Sequence, residues 1–421
     1  MTREQSIVAQ TRTACFARLA EEGRKQKVSD APLVIFFGDF LLQSVYTQNS
    51  SQMDYGHLMK GTVPQDTNRP GYIPAIDGLR TVAIGSVILF HLQVPGTALG
   101  WAGVPIFFAI SGFLITRLLL SRKEDAATFS AFYWDFIRRR VLRIFPLYYA
   151  YLLVSTISSH LYSEPFSDQW SYWVYLQNYT LGFSKFSNSY ILGQTWSLAL
   201  EEQFYLLWPL IVWCCSVAAL KRLCWILVLL GPVTRWAVCH WSNNSYLAFT
   251  TLPSCVDLLA MGAILALWSE ADWIARKNIF VVMFVAAAAF LAIAFPYASY
   301  WQPTLYIPAT MGPLVFSAVG VCSVSLLGIA LNNGILARLL SMPVMTYLGR
   351  ISYGIYMFHA FFLLRASSLI GRFPGDLGYV AWCVAVIAGS IAAAAISYKF
   401  FESFFLHLKN ATQVKMAPSS R

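Results

Sequence analysis

Charge is what this sequence has least of. Asp, Glu, Lys and Arg make up 12% of its 421 residues, against about 25% in soluble domains. A soluble chain of this length covers its surface with far more charge, so an ordinary cytosolic enzyme, a disordered protein and a coiled coil are excluded. Metal-ligand spacing is missing too. Most of the eight cysteines sit in apolar runs, such as Cys214, Cys215, Cys224, Cys322 and Cys383, and the vicinal Cys214-Cys215 is no CxxC. They read as small packing residues, and no metal is expected. No short apolar core with a small-residue cleavage site opens the chain, so no signal peptide is expected. No internal repeat is visible, which weighs against a transporter built from inverted halves.

What is abundant is apolar sequence, at 57% of the residues. From Ile73 onward ten apolar runs follow one another: 74–93, 101–121, 141–160, 196–218, 223–240, 252–268, 279–296, 308–331, 351–370 and 378–401. Each is read as a helix able to cross a hydrocarbon layer of about 30 Å. The expected fold is all-α, a polytopic integral membrane protein of about ten transmembrane helices. The aromatic stretch 170–182 reads as a segment lying in the membrane interface. Residues 1–72 read as a cytoplasmic extension and linker with a short apolar segment at 31–45. Residues 73–405 form the membrane domain and 406–421 a cytoplasmic tail.

The net charge of +10 fits basic loops on the cytoplasmic side. With the N-terminus inside, thirteen Lys and Arg residues fall in inner loops, from Arg117 to Arg350. Only Lys185, Arg235, Arg365 and Arg372 fall in outer ones. The topology is therefore read as N-in and C-in. No basic patch is spaced like a nucleic-acid reader, so no nucleic acid is expected.

Ionisable residues within such runs need a reason. Arg80 and His91 lie eleven residues apart, which is about 20° past three full turns, so they share a helix face about 16 Å apart along the axis. Arg140 and Arg143 lie one turn apart, and two guanidinium forks at that spacing suit a phosphate or pyrophosphate. Plain positive-inside anchoring is the alternative there. Glu201 and Glu202 are adjacent carboxylates in an apolar run. One of them beside Arg80 or His91 would be the usual way to orient a general base, and a buried ion pair is the alternative. Ser111 lacks the surroundings of an activated nucleophile. Arg235, Asp257, Arg350, His359 and the pair Lys399/Glu402 are lesser candidates.

These segments together resemble the acyltransferase-3 family of bacterial membrane acyltransferases, from about Ile73 to Glu402. The pieces are Asp77-Gly-Leu-Arg80 with His91, Gly103-Val-Pro-Ile-Phe-Phe with Ser111-Gly-Phe-Leu, and Arg140-x-x-Arg143. Trp196-Ser-Leu with Glu201-Glu202-Gln-Phe-Tyr205 follows, then Tyr347-Leu-Gly-Arg-Ile-Ser-Tyr-Gly-Ile-Tyr-Met-Phe-His359. The resemblance implies an enzyme that moves an acyl group, usually acetyl, from cytoplasmic acyl-CoA to hydroxyls of a carbohydrate or lipid-linked glycan. It implies a bacterial inner membrane location. It makes Arg80 and His91 the central motif and matches Arg140 and Arg143 to a second one. On that basis His91 is expected to act as general base with Glu201 or Glu202 orienting the imidazole, Arg80 to hold the CoA or the thioester end, and Arg140 and Arg143 to hold the CoA phosphates. Arg80 is a candidate for holding the oxyanion. Some relatives carry a soluble SGNH hydrolase-like domain, which is not expected here because the chain stops soon after Glu402. The Glu-x-Pro often found at the end of the last span is missing, since Ser403 and Phe404 follow Glu402. Two rival readings are a transporter or flippase of an acyl donor or glycolipid and a membrane scaffold without activity. The sequence leaves the acceptor, the acyl length and the oligomeric state open.

Overall fold

A computed structural model describes residues 72–161, 168–186, 191–242, 244–294, 312–332, 334–370, 372–373 and 376–414. The N-terminal extension and its apolar segment at 31–45 lie outside the described residues. Among the described residues, ten helices of at least 14 residues follow the ten apolar runs. They are α1 (Pro74–His91), α2 (Gly103–Lys123), α3 (Phe129–Leu161), α4 (Trp196–Cys214) and α5 (Val217–Ser242). Then come α6 (Leu252–Ala266), α7 (Lys277–Ala294), α8 (Gly312–Ala330), α9 (Ser352–Arg365) and α10 (Asp376–Ser397). After α10 the chain passes through a π-turn at Tyr398–Glu402 into a last helix, Ser403–Val414, which runs past the boundary read at residue 405.

Seven helices are long and apolar enough to cross a membrane, and all but α1, α4 and α9 supply one each. The three exceptions have two causes, charge in α1 and α4 and length in α9. α1 carries Asp77, Arg80 and His91 within 18 residues, and α4 carries Glu201 and Glu202. α9 has 14 residues, about 21 Å. In hydrocarbon these helices depend on neighbours rather than on their own apolarity.

Large apolar side chains stand exposed along the outer helices, such as Ile226, Leu229 and Val233 on α5 and Val282, Val285 and Ile293 on α7. No polar layer covers them, as expected of a surface solvated by lipid tails. The centre is made by α2 and α6, which touch through glycines. A Cβ on Gly112 would overlap the Leu259 carbonyl oxygen, and one on Gly262 would overlap that of Ala109. Gly103 lets α2 rest on the Ala83 carbonyl of α1 in the same way. Without water to drive helices together, such close backbone approach is what holds a bundle in lipid. The end of α4 is finished by the Lys123 ammonium, which donates to the Val212 and Cys215 carbonyls at 2.9 Å each.

The stretch between α3 and α4 corrects the interfacial reading. It forms two short helices, Gln169–Trp173 and Gln177–Phe183. Trp170 and Phe183 are exposed as an interfacial segment requires, but Tyr172, Tyr175, Gln177 and Asn178 are buried. The Tyr148 hydroxyl donates to the Tyr172 carbonyl at 2.8 Å and the Gln203 amide to the Tyr175 carbonyl at 2.8 Å. The segment therefore folds back against α3 and α4, because its polar backbone finds partners there.

Candidate active site

The charged residues of α1, α3 and α4 converge at one level of the bundle. At the start of α1, Asp77 accepts a hydrogen bond from the Tyr72 hydroxyl at 2.9 Å. Arg80 lies 3.7 Å from the same carboxylate and Arg350 lies 3.9 Å from it. Burial lifts the Tyr72 phenol above its ordinary pKa, so it stays a donor. On α3, Arg139 and Arg138 are held by Asp135 at 2.9 Å and 3.3 Å, and Arg122 of α2 joins them. Arg140 has no ion pair with Asp135 among the described residues. Its guanidinium lies over the rings of Tyr205 and Phe136, 5.3 Å and 5.6 Å from their centroids. Arg80, Arg140 and Arg143 are close enough to act on one another electrostatically, as do Glu201 on Arg80 and Glu202 on Arg140.

The two carboxylates differ in partners. Glu201 accepts from the Ser111 hydroxyl at 2.7 Å and from the Tyr205 hydroxyl at 3.0 Å. Tyr205 also reaches Ser111 at 3.1 Å. Glu202 is buried, and its Oε1 has no hydrogen-bond partner. The result is a cluster of three guanidinium groups and two carboxylates. Each arginine contributes a fork of donors of the kind that suits an anion.

His91 belongs to a different level. It ends α1, is exposed, and its Nδ1–H donates to the Val87 carbonyl at 2.9 Å. A carbonyl only accepts, so in the neutral ring the lone pair lies on Nε2. The ring of His359 packs against it with centroids 5.1 Å apart. His359 is buried, and its Nδ1–H donates to the Tyr356 carbonyl at 2.6 Å. The Tyr356 hydroxyl is bound in turn to the Gln194 carbonyl and to Ser197, each at 2.7 Å. α9 is thereby fastened to the start of α4.

The structure thus brings Arg80, Arg140, Arg143, Glu201 and Glu202 together and sets His91 apart. The expectation that Glu201 or Glu202 orients the imidazole is corrected. The hydrogen-bond partner of His91 is the backbone of its own helix, and Glu201 is taken by Ser111 and Tyr205. Arg80 and His91 stand eleven residues apart on the single helix Pro74–His91, about 16 Å along its axis. Ser111 and Tyr205 were not singled out as site residues, since neither is ionised and only tertiary contact reveals them. Arg235 and Asp257 form a fully buried pair at 2.6 Å and 2.8 Å, joined by Ser317 at 2.9 Å. This accounts for both as structural partners.

Comparison with known proteins agrees with the resemblance. The acyltransferase domain family matches residues 73–399. The peptidoglycan O-acetyltransferase OatA of Listeria monocytogenes is 28% identical over 356 residues, covering 79% of this chain and 55% of that protein. The putative peptidoglycan O-acetyltransferase YrhL of Bacillus subtilis is 28% identical over 317 residues, 70% of this chain and 49% of its own length. The O-acetyltransferase OatA of Staphylococcus aureus is 26% identical over 364 residues, 79% and 57%. The chain therefore spans about half the length of the curated relatives it matches. No solved structure matches it.

Proposed function

This chain belongs to the acyltransferase domain family, and from that premise we propose that it is an integral membrane O-acyltransferase. It moves an acyl group, acetyl in the first instance, from acyl-CoA to hydroxyls of a carbohydrate. The names of its relatives make a peptidoglycan-like glycan the acceptor to try first. The membrane would be the bacterial inner membrane, with both ends of the domain on the cytoplasmic side, as the distribution of Lys and Arg implies.

The observation that carries the proposal is the division of labour along α1. One end of the helix meets the arginine cluster and the other presents an exposed imidazole with a free Nε2. An acyl-CoA has the same layout, with phosphates at one end and the thioester at the end of a long pantetheine arm. Arg140, Arg143 and Arg80 would hold the phosphates, with Glu201 keeping the guanidinium groups apart and oriented. The thioester would lie near His91. There Nε2 takes the proton of the acceptor hydroxyl while the hydroxyl oxygen attacks the thioester carbonyl. The C–S bond breaks, and the departing thiolate takes the proton back from His91 Nε2, which returns the imidazole to its neutral form. A hydroxyl is a poor nucleophile at neutral pH, and a positioned base is worth about 10²–10⁴-fold.

The test is transfer of labelled acetyl from acetyl-CoA to a glycan fraction in membranes holding the intact protein, His91→Ala or Arg80→Ala at equal expression. Label that appears with the intact protein and is lost in both variants is the expected result. Full transfer by His91→Ala removes the base from this reading, and no transfer by the intact protein to any glycan removes the reading itself.

A further inference from the structure

We propose that His359 is a positioning residue for the reaction, a built-in acceptor that takes up a hydrogen bond only when His91 becomes protonated. This deepens the function proposed above and rests on His91 being the base.

Three observations meet at His359. Its ring is 1% exposed and lies against the ring of His91 with centroids 5.1 Å apart and planes 43° apart. Its Nδ1–H is committed to the Tyr356 carbonyl at 2.6 Å, so the lone pair of the neutral ring lies on Nε2. That Nε2 is buried and has no hydrogen-bond partner. A buried polar atom left unpaired costs stability, and phenylalanine would fill the same space without that cost. The titratable groups facing it are His91 on α1 and Tyr356 on its own helix, whose hydroxyl is already bound to Ser197 and Gln194.

Each ring commits Nδ1 to the backbone of its own helix, which leaves each Nε2 for contacts beyond it. The rings pack together across α1 and α9 with centroids 5.1 Å apart, and in the resting state no hydrogen bond reaches His359 Nε2. When the acceptor hydroxyl gives its proton to His91, the new Nε2–H becomes a donor and the neutral His359 Nε2 accepts it. The hydroxyl O–H bond breaks, the His91 N–H bond forms, and His359 gains a hydrogen bond but no proton. The interaction exists only after proton transfer has begun, so it lowers the barrier without tightening substrate binding. A hydrogen bond to a charged partner is strong enough for about 10- to 100-fold in rate.

The test compares His359→Phe and His359→Gln with the intact protein. Expected for His359→Phe is kcat lower by about 10- to 100-fold, KM for the acyl donor unchanged, and thermal stability in detergent equal or higher. His359→Gln, whose amide oxygen restores an acceptor, recovers part of kcat. A His359→Phe enzyme with unchanged kcat overturns the inference, whereas His91→Asn with full transfer overturns the underlying reading instead. A second arm needs no turnover. Diethyl pyrocarbonate modifies the neutral ring of the exposed His91, and mass spectrometry follows it against pH. Loss of the acceptor in His359→Phe moves the midpoint of modification toward lower pH, and an unmoved midpoint overturns the pairing.

Discussion

The Ser111 hydroxyl of α2 donates to the Glu201 carboxylate of α4 at 2.7 Å, and the Tyr205 hydroxyl, one turn along α4, closes the triangle at 3.1 Å and 3.0 Å. These two neutral donors fix a carboxylate beside the arginine cluster. From that position Glu201 acts electrostatically on Arg80.

Glu201→Gln removes that charge while keeping the size of the side chain. The expected outcome is loss of transfer by about 100-fold or more, since the three arginines then keep fewer counter-charges, Glu202 and Asp77, against their mutual repulsion. Ser111→Ala removes one hydrogen bond and keeps the charge, so it should cost about 10-fold at most. Steady-state transfer at matched expression separates the two. Equal losses would mean that Ser111 does more than orient Glu201.

The proposed function places Arg140 and Arg143 at the acyl donor rather than the acceptor. Arg140→Ala and Arg143→Ala should each raise KM for acyl-CoA by about 10-fold, with a smaller effect on kcat. Arg140→Lys should not restore it, because lysine cannot lie flat over the Tyr205 and Phe136 rings and present a fork as well. Competition by CoA lacking its 3′-phosphate checks which phosphate each arginine meets.

The close contact of α2 with α6 predicts a sharp contrast between glycines. Gly112→Leu should destabilise by more than about 3 kcal/mol, because both the Leu259 carbonyl and its helix must move. Gly85→Ala meets nothing within 4 Å and should be neutral. Thermal melting in detergent, followed by size-exclusion elution, reads both. Equal behaviour would contradict the packing.

Asp257→Ala leaves the fully buried Arg235 without its counter-charge. Breaking a buried pair by removing one partner costs about 3–5 kcal/mol. The expected result is poor expression, with normal KM for the donor in whatever protein folds. A fall in kcat with unchanged melting would give the pair a part in catalysis that its distance from the arginine cluster does not suggest.

The resemblance of the chain to its family was legible in order and spacing. Arg80, His91, Arg140, Arg143 and the Glu201-Glu202 pair all stand out because a charge in an apolar run is costly wherever the helix goes. His359 stood out less, since one imidazole on an apolar helix is commonly satisfied by backbone. Its importance lies in an unpaired Nε2 and in a neighbour 268 positions away in sequence. The interfacial reading of 170–182 failed for a related reason. Aromatic content alone does not tell a segment resting at the interface from one folded against α3 through Tyr148 and Tyr172.

By itself the sequence determined that this is a membrane bundle and which ten stretches become its long helices, though not their ends, because apolar length is a property of short stretches. It also determined which residues are too costly to be there by accident. Only the tertiary structure decided how those residues pair. The distance between Glu201 and His91, the partnership of Ser111 with Glu201 and the meeting of His91 with His359 depend on how glycine contacts such as Gly112 against Leu259 set one helix against the next. Those contacts join distant parts of the chain, and no local pattern encodes them.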